Sequence, residues 1–198
     1  MPKALPLHHP TADELHHAHG VYTEKEPTEY AHRLTRELLA GDTFTAGEAI
    51  HALLRIWSPK GPKTTPTDIM CVLEDTAAAR TGFTNRHIAT LADDEHDTVK
   101  EIYAAFKAVV GQVGAAKALS VLHPRFFPMW DRRIAIAYIG WKWRDDGAPP
   151  EYYLLFMQYA IEQCTTSVHE DTFGHTLLKV LDEWNYSIWT KHWLTPPD

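Results

Sequence analysis

Val113-Gly114-Ala115-Ala116-Lys117-Ala118-Leu119-Ser120-Val121-Leu122-His123-Pro124-Arg125-Phe126-Phe127-Pro128-Met129-Trp130-Asp131-Arg132-Arg133-Ile134 is the stretch on which the reading of this chain turns. A glycine turn leads into a short apolar helix, a proline-bounded loop comes next, and Asp131 stands where a second helix opens, a position that favours a side-chain oxygen acceptor. Upstream, Val99, Ile102, Tyr103, Phe106, Val109 and Val110 repeat at helical spacing and end at Gly111-Gln112-Val113-Gly114. The unit is therefore helix, glycine turn, helix, over about residues 98–122. An amine, Lys117, and a carboxylate, Asp131, stand at its two ends.

Working outward, the remaining periodicities are also helical. Tyr30, Leu34, Leu38 and Leu39 mark a helix that stops at Gly41, and Thr45 with Glu48 has capping-box form before Ile50, Leu53, Leu54 and Trp57. Pro66 sits at a first helical position of a helix expected to run to about Arg80, and a shorter helix is expected after Thr84. The acidic run Asp93-Asp94-Glu95-His96-Asp97 reads as complementing a helix dipole rather than as a carboxylate site. Pro149-Pro150 opens a long helix, and a last one is expected over about residues 172–193. No hairpin or βαβ alternation is visible, so the fold class is all-α, a bundle of about nine helices. Residues 1–23, rich in Pro and His, read as an arm packed on a single domain spanning 24–198. Its histidines lack the cysteines or helical pair spacing that a metal site would need, so no metal and no cofactor is expected.

The chain has 198 residues, enough for a sizeable core, with 44% hydrophobic residues and seven Trp. Its two cysteines, Cys71 and Cys164, form no framework, which fits a reducing cytoplasm. The first residues lack the apolar segment of a signal peptide and no continuous apolar run approaches 18 residues, so the expectation is a cytoplasmic monomer with no membrane partner. Net charge is −7, which by itself argues against nucleic acid. The charge is unevenly spread, however. Between Lys117 and Arg144 there are six cations (Lys117, Arg125, Arg132, Arg133, Lys142, Arg144) against one acid, Asp131, a net +5 that leaves −12 for the rest. A locally basic face of this kind can engage phosphates.

Glycines in a helix-joining turn let backbone N–H groups approach a phosphate, and Gly111 and Gly114 supply them. A carboxylate beside a nucleotide can stabilise an oxocarbenium-like sugar, and a lysine of lowered basicity can attack C1′ to form a Schiff base. The order Val-Gly-x-x-x-Ala, apolar helix, Phe-Pro-x-x-Asp-Arg-x-Ile resembles the helix-hairpin-helix DNA glycosylase superfamily, nearest its 8-oxoguanine DNA glycosylase-like branch. The resemblance covers about 30 residues, Ala108–Trp141. It implies that Asp131 is the catalytic carboxylate and Lys117 the nucleophile, and that Gly111, Gln112, Val113 and Gly114 hold a phosphate of double-stranded DNA. Lys117 falls three residues after the second glycine, where those enzymes place it two after, and one residue is about 100° of helix. Asp131 is thus the firmer assignment, and an aspartate acting with water would suit a monofunctional enzyme.

An enzyme excising a base must hold the extruded base between apolar groups. Phe127, Trp130, Trp141 and Trp143 stand close enough in sequence to do so, with His123 as a proton carrier, and Arg125, Arg132, Arg133, Lys142 and Arg144 facing the backbone. The reading is a base-excision repair hydrolase acting by base flipping on a damaged or modified base, an oxidised purine being one option. Two alternatives stand beside it: a transferase on the same scaffold acting on modified thymine in phage-type DNA, and a non-catalytic helix-hairpin-helix module that grips DNA or protein.

Overall fold

The computed structural model describes residues 7–57, 63–140, 147–164 and 174–197. Among these residues there are nine α-helices and no strand: α1 (Ala12–Lys25), α2 (Tyr30–Ala40), α3 (Ala46–Trp57), α4 (Pro66–Asp75), α5 (Ala77–Thr81), α6 (His96–Leu122), α7 (Arg132–Ile139), α8 (Pro150–Cys164) and α9 (Leu177–Asn185). The all-α expectation holds.

Local chemistry sets the helix starts. Thr11 with Glu14, Thr45 with Glu48 and Thr65 with Asp68 each exchange side-chain and backbone hydrogen bonds in reciprocal caps. Substituting such a cap by alanine costs about 1 kcal/mol. Asp131 caps α7, its Oδ1 accepting from the N–H groups of Arg133 at 2.7 Å and Ile134 at 3.0 Å. Gly140, left-handed at φ 64°, ends that helix.

Helix α6 is the spine of the core, burying Val99, Ile102, Tyr103, Phe106, Val110, Ala118 and Leu119. It is not straight. Gly111 has φ 73° and ψ 168°, a conformation outside the helical region and open essentially to glycine alone. The chain reverses there, because the Tyr103 hydroxyl donates to the Gln112 carbonyl at 3.0 Å. In an unbroken helix, nine residues would separate those positions by roughly 13.5 Å of rise, beyond the reach of a tyrosine. Gly114 lies where a Cβ would sit 3.0 Å from Val110 Cβ, so the two arms touch closely. By length and composition the segment Asp93–Leu122, with mean hydropathy 1.3 in its most apolar window, could cross a membrane; here it bends at Gly111 and carries the core.

The segment read as an arm packed on the body contains α1, whose Leu15, Ala18 and Tyr22 are buried and which packs along α9. Three expected helix extents give way. The helix starting at Pro66 breaks at Thr76, whose hydroxyl bonds back to the Val72 carbonyl at 2.6 Å, and the helix after Thr84 is one 3-10 turn, Ile88–Thr90. The last helix ends at Asn185 and continues as a π-helical turn, Tyr186–Thr190. The hydrophobic period alone could not show where a wider turn replaces the regular one.

Gly111→Ala should cost about 1–3 kcal/mol, since alanine must occupy a glycine-only conformation. At about 2–4 °C per kcal/mol for a chain of this size, thermal unfolding followed by circular dichroism should move down by several degrees. A melt unchanged within a degree would contradict the turn.

Candidate active site

Five separate parts of the chain converge on one cavity of about 240 Å³. Helix α1 supplies Tyr22 and the residue capping its end supplies Glu26, the end of α3 supplies Trp57, and the second arm of α6 supplies Lys117. The loop before α7 brings Trp130 and Asp131, and α9 with its π turn brings Asp182, Tyr186 and Lys191. The amine and the carboxylate singled out in the sequence therefore line the same hollow.

Asp131 is held from both sides. Oδ1 serves the cap of α7, while Oδ2 accepts from the Thr190 hydroxyl at 2.5 Å. The π turn makes that second contact: a wider turn shifts its residues out of α-helical register, and Thr190 comes to face the start of α7. Lys117 lies with Nζ 5.2 Å from the centroid of the Trp57 ring, a cation–π distance. Burial pushes its ammonium below the usual lysine range, and the charges of Asp182, Asp131 and Glu26 pull the other way without cancelling the shift. The neutral, nucleophilic amine is correspondingly easier to reach near neutral pH.

Glu26 closes one wall. Burial opposes its charge, but hydrogen bonds from the Thr28 hydroxyl (2.6 Å) and N–H (3.2 Å), together with Lys191 at 3.5 Å, hold its carboxyl below the ordinary range. Its second oxygen accepts from the Tyr186 hydroxyl at 3.1 Å.

Asp182 differs from both other acids. Its side chain is 11% exposed and it pairs with Lys179 Nζ at 3.9 Å. Burial pushes its carboxyl up to about 7, Glu183 and Asp131 add to the rise, and Lys179 and Lys117 oppose it. Behind the cavity, Lys179 is almost fully buried, 2.9 Å from Glu183 and 4.3 Å from the centre of the Tyr22 ring. Glu183 in turn pairs with His19 at 2.6 Å, a bond that raises the histidine above its usual value.

The structure sorts the other sequence candidates. Trp130 lines the cavity. Phe127 does not; it is fully buried among Phe83, Phe126 and His123. His123 is also buried away from the cavity, 3.5 Å from Arg80, and burial first and then that guanidinium push it down to about 4. It is a core histidine, not a proton carrier at neutral pH. Gly111, Val113 and Gly114 form the hairpin turn, but the Gln112 side chain turns inward to accept from the Ala148 N–H at 2.8 Å. Arg125, Arg132 and Arg133 are exposed. Trp141, Lys142, Trp143 and Arg144 lie outside the described residues.

Sequence reasoning alone misses Glu26, Trp57, Asp182, Tyr186 and Lys191. Lys179, Asp182, Glu183 and Tyr186 do carry a signal, at spacings i, i+3, i+4 and i+7, a polar stripe on one face of α9. The apolar residues of the same helix, Leu177, Leu178, Leu181 and Trp184, hide it. Among the described residues no group of three metal-ligating side chains comes together. No protein-family model, curated protein or solved structure matches the chain.

The raised carboxyl fixes the sign of a pH effect. Folded Asp182 keeps its proton up to about pH 7, whereas the unfolded chain releases it near 3.9. Its contribution to stability therefore falls as pH rises from about 4 to 7 and is constant above that. Asp182→Asn removes this dependence, so the variant should gain stability relative to wild type across that window in denaturant titrations. A difference that stays level or shrinks would refute the assignment.

Proposed function

We propose that this chain is a DNA N-glycosylase of the helix-hairpin-helix type, which extrudes a damaged or modified base and cleaves its N-glycosidic bond with Lys117 as nucleophile. The observation that carries the reading is the placement of Lys117 and Asp131 on one cavity, with the amine lowered by burial. Size supports it. A cavity of about 150 Å³ accepts a benzene ring, and drug-sized ligands need roughly 300–1,000 Å³. About 240 Å³ suits one heterocyclic base, with the sugar at the mouth.

The chemistry derives from the lining. Trp57 and Tyr186 offer ring faces and edges to a flipped base, while Trp130, 1% exposed, backs the wall with its ring packed on Tyr103, Tyr153 and Phe156. The Lys117 amine attacks C1′ as the bond to the base breaks, and the fixed Asp131 carboxylate stabilises positive charge developing on the sugar. Because that carboxylate is already oriented by three hydrogen bonds, little reorganisation is needed during the reaction. In this reading Arg132 and Arg133, exposed next to Asp131 in the chain, and the turn at Gly111–Gly114 meet the phosphates flanking the extruded nucleotide. The three carboxylates Glu26, Asp131 and Asp182 within the cavity disfavour a pyrophosphate-bearing donor, and with it the transferase alternative.

Incubation with duplexes bearing single modified bases, followed by borohydride, tests the reading. A covalent protein–DNA adduct is expected with wild type and absent in Lys117→Gln. Asp131→Asn should slow excision by about 10²–10³-fold, the loss typical of one preorganised electrostatic group. Excision that survives Lys117→Gln would make water the nucleophile; no excision of any base would overturn the proposal.

A further inference from the structure

The geometry points to Asp182 as the proton carrier for Lys117: its carboxyl takes the protons that the amine sheds as it bonds to carbon and delivers them to the groups that leave. This deepens the glycosylase reading and rests on Lys117 being the nucleophile. Asp131 cannot serve easily, since its oxygens are committed to two backbone N–H groups and the Thr190 hydroxyl. Glu26 is likewise engaged, by Thr28, Tyr186 and Lys191. Among the described residues Asp182 makes no hydrogen bond, and Lys179 at 3.9 Å is its ion-pair partner. Among the described acids of the cavity it is the one without a hydrogen bond, and it shares the cavity with the amine, each affecting the other's ionisation.

The groups that bias Asp182 come from every side. Its own helix supplies Lys179 and Glu183, the second arm of α6 supplies Lys117, and the loop before α7 supplies Asp131. Helix α1 and its C-cap bring Tyr22 and Glu26 to the same cavity, and the π turn and the residue after it bring Tyr186 and Lys191. The two lysines favour the carboxylate, while burial and the two acids favour the protonated form. The net result leaves the carboxyl able both to accept and to release a proton near neutrality, which is what a carrier needs.

The proton count closes. Neutral Lys117 Nζ forms a bond to C1′ as the bond from C1′ to the base breaks, the electron pair leaving with the base. The resulting ammonium gives one proton to the Asp182 carboxylate, which passes it to the departing base. The amine nitrogen then forms a double bond to C1′ as the bond from C1′ to O4′ breaks. Its second proton travels by the same carboxyl to O4′, leaving the imine and a free hydroxyl. No external acid, base or oxidant is consumed.

The relay can be tested without DNA, so that its failure is distinct from failure of the glycosylase reading. Glycolaldehyde with cyanoborohydride probes imine formation at Lys117, read by peptide mass spectrometry as a function of pH. Wild type should give a bell-shaped rate profile, with the amine deprotonating on one side and the carboxyl on the other. Asp182→Asn should lose about 100-fold in rate, the lower end of general acid–base contributions, and Asp182→Glu should recover most of it. Labelling of Asp182→Asn within about threefold of wild type, or Asp182→Glu no faster than Asp182→Asn, would overturn the assignment. Should the variants not fold, the wild-type profile at Lys117 is set against that of the exposed Lys25 in the same digest, and coincident profiles would overturn the relay. A Lys117 profile displaced from that of Lys25, with no base excised from any duplex, would sustain the relay and refute the glycosylase.

Discussion

The reversal at Gly111 is the constraint on which the rest of the architecture depends. A helix spanning His96–Leu122 without interruption would carry Lys117 away from the body of the protein. Because the backbone at Gly111 adopts φ 73° and ψ 168°, the second arm folds back on the first, and Tyr103 locks the turn from within. The small residues Ala115, Ala116 and Ala118 then let the returning arm bury fully. One face of that arm joins the core while Lys117, partly shielded, meets Trp57 and the cavity.

Around this spine, opposing electrostatic effects set the state of each ionisable group. Desolvation disfavours every charge in the cavity, and each group answers differently. Glu26 gathers enough donors to stay ionised, Asp182 does not, and Lys117 is left with a weakened proton despite three acids nearby. A fully hydrogen-bonded carboxylate and a poorly bonded one within one hollow are pushed toward different roles, which is how a single site hosts both a fixed charge and a mobile proton. The buried Lys179–Glu183–His19 chain behind them ties α1 to α9. Removing one member of such a set leaves a buried charge uncompensated, typically a loss of about 3–5 kcal/mol.

Much of this is legible in the sequence, and the reasons are local. The reciprocal cap at Thr45, the helix start at Pro66, the role of Asp131 at the start of α7 and the glycine turn all rest on contacts within a few residues. Lys117 and Asp131 can be paired because both belong to one short unit. What lies outside reach depends on distant segments. Glu26 meets Tyr186 across 160 positions and His19 meets Glu183 across 164, and no periodicity encodes such a meeting. Phe127 and His123 are misplaced by sequence alone for a related reason: aromatic and histidine side chains near a site in sequence serve the core equally well, and the deciding neighbours, Phe83 and Arg80, come from elsewhere.

Those same long spans also govern how the cavity acquires its electrostatics. The hollow's walls come from α1 and from the π turn after α9, near opposite ends of the described chain, and closure between such remote segments is a late event in folding. Until both walls dock, Lys117 is surrounded by water and keeps the basicity of an ordinary surface lysine. The lowered basicity of Lys117 is therefore a property of the completed fold, gained when the two ends of the chain meet.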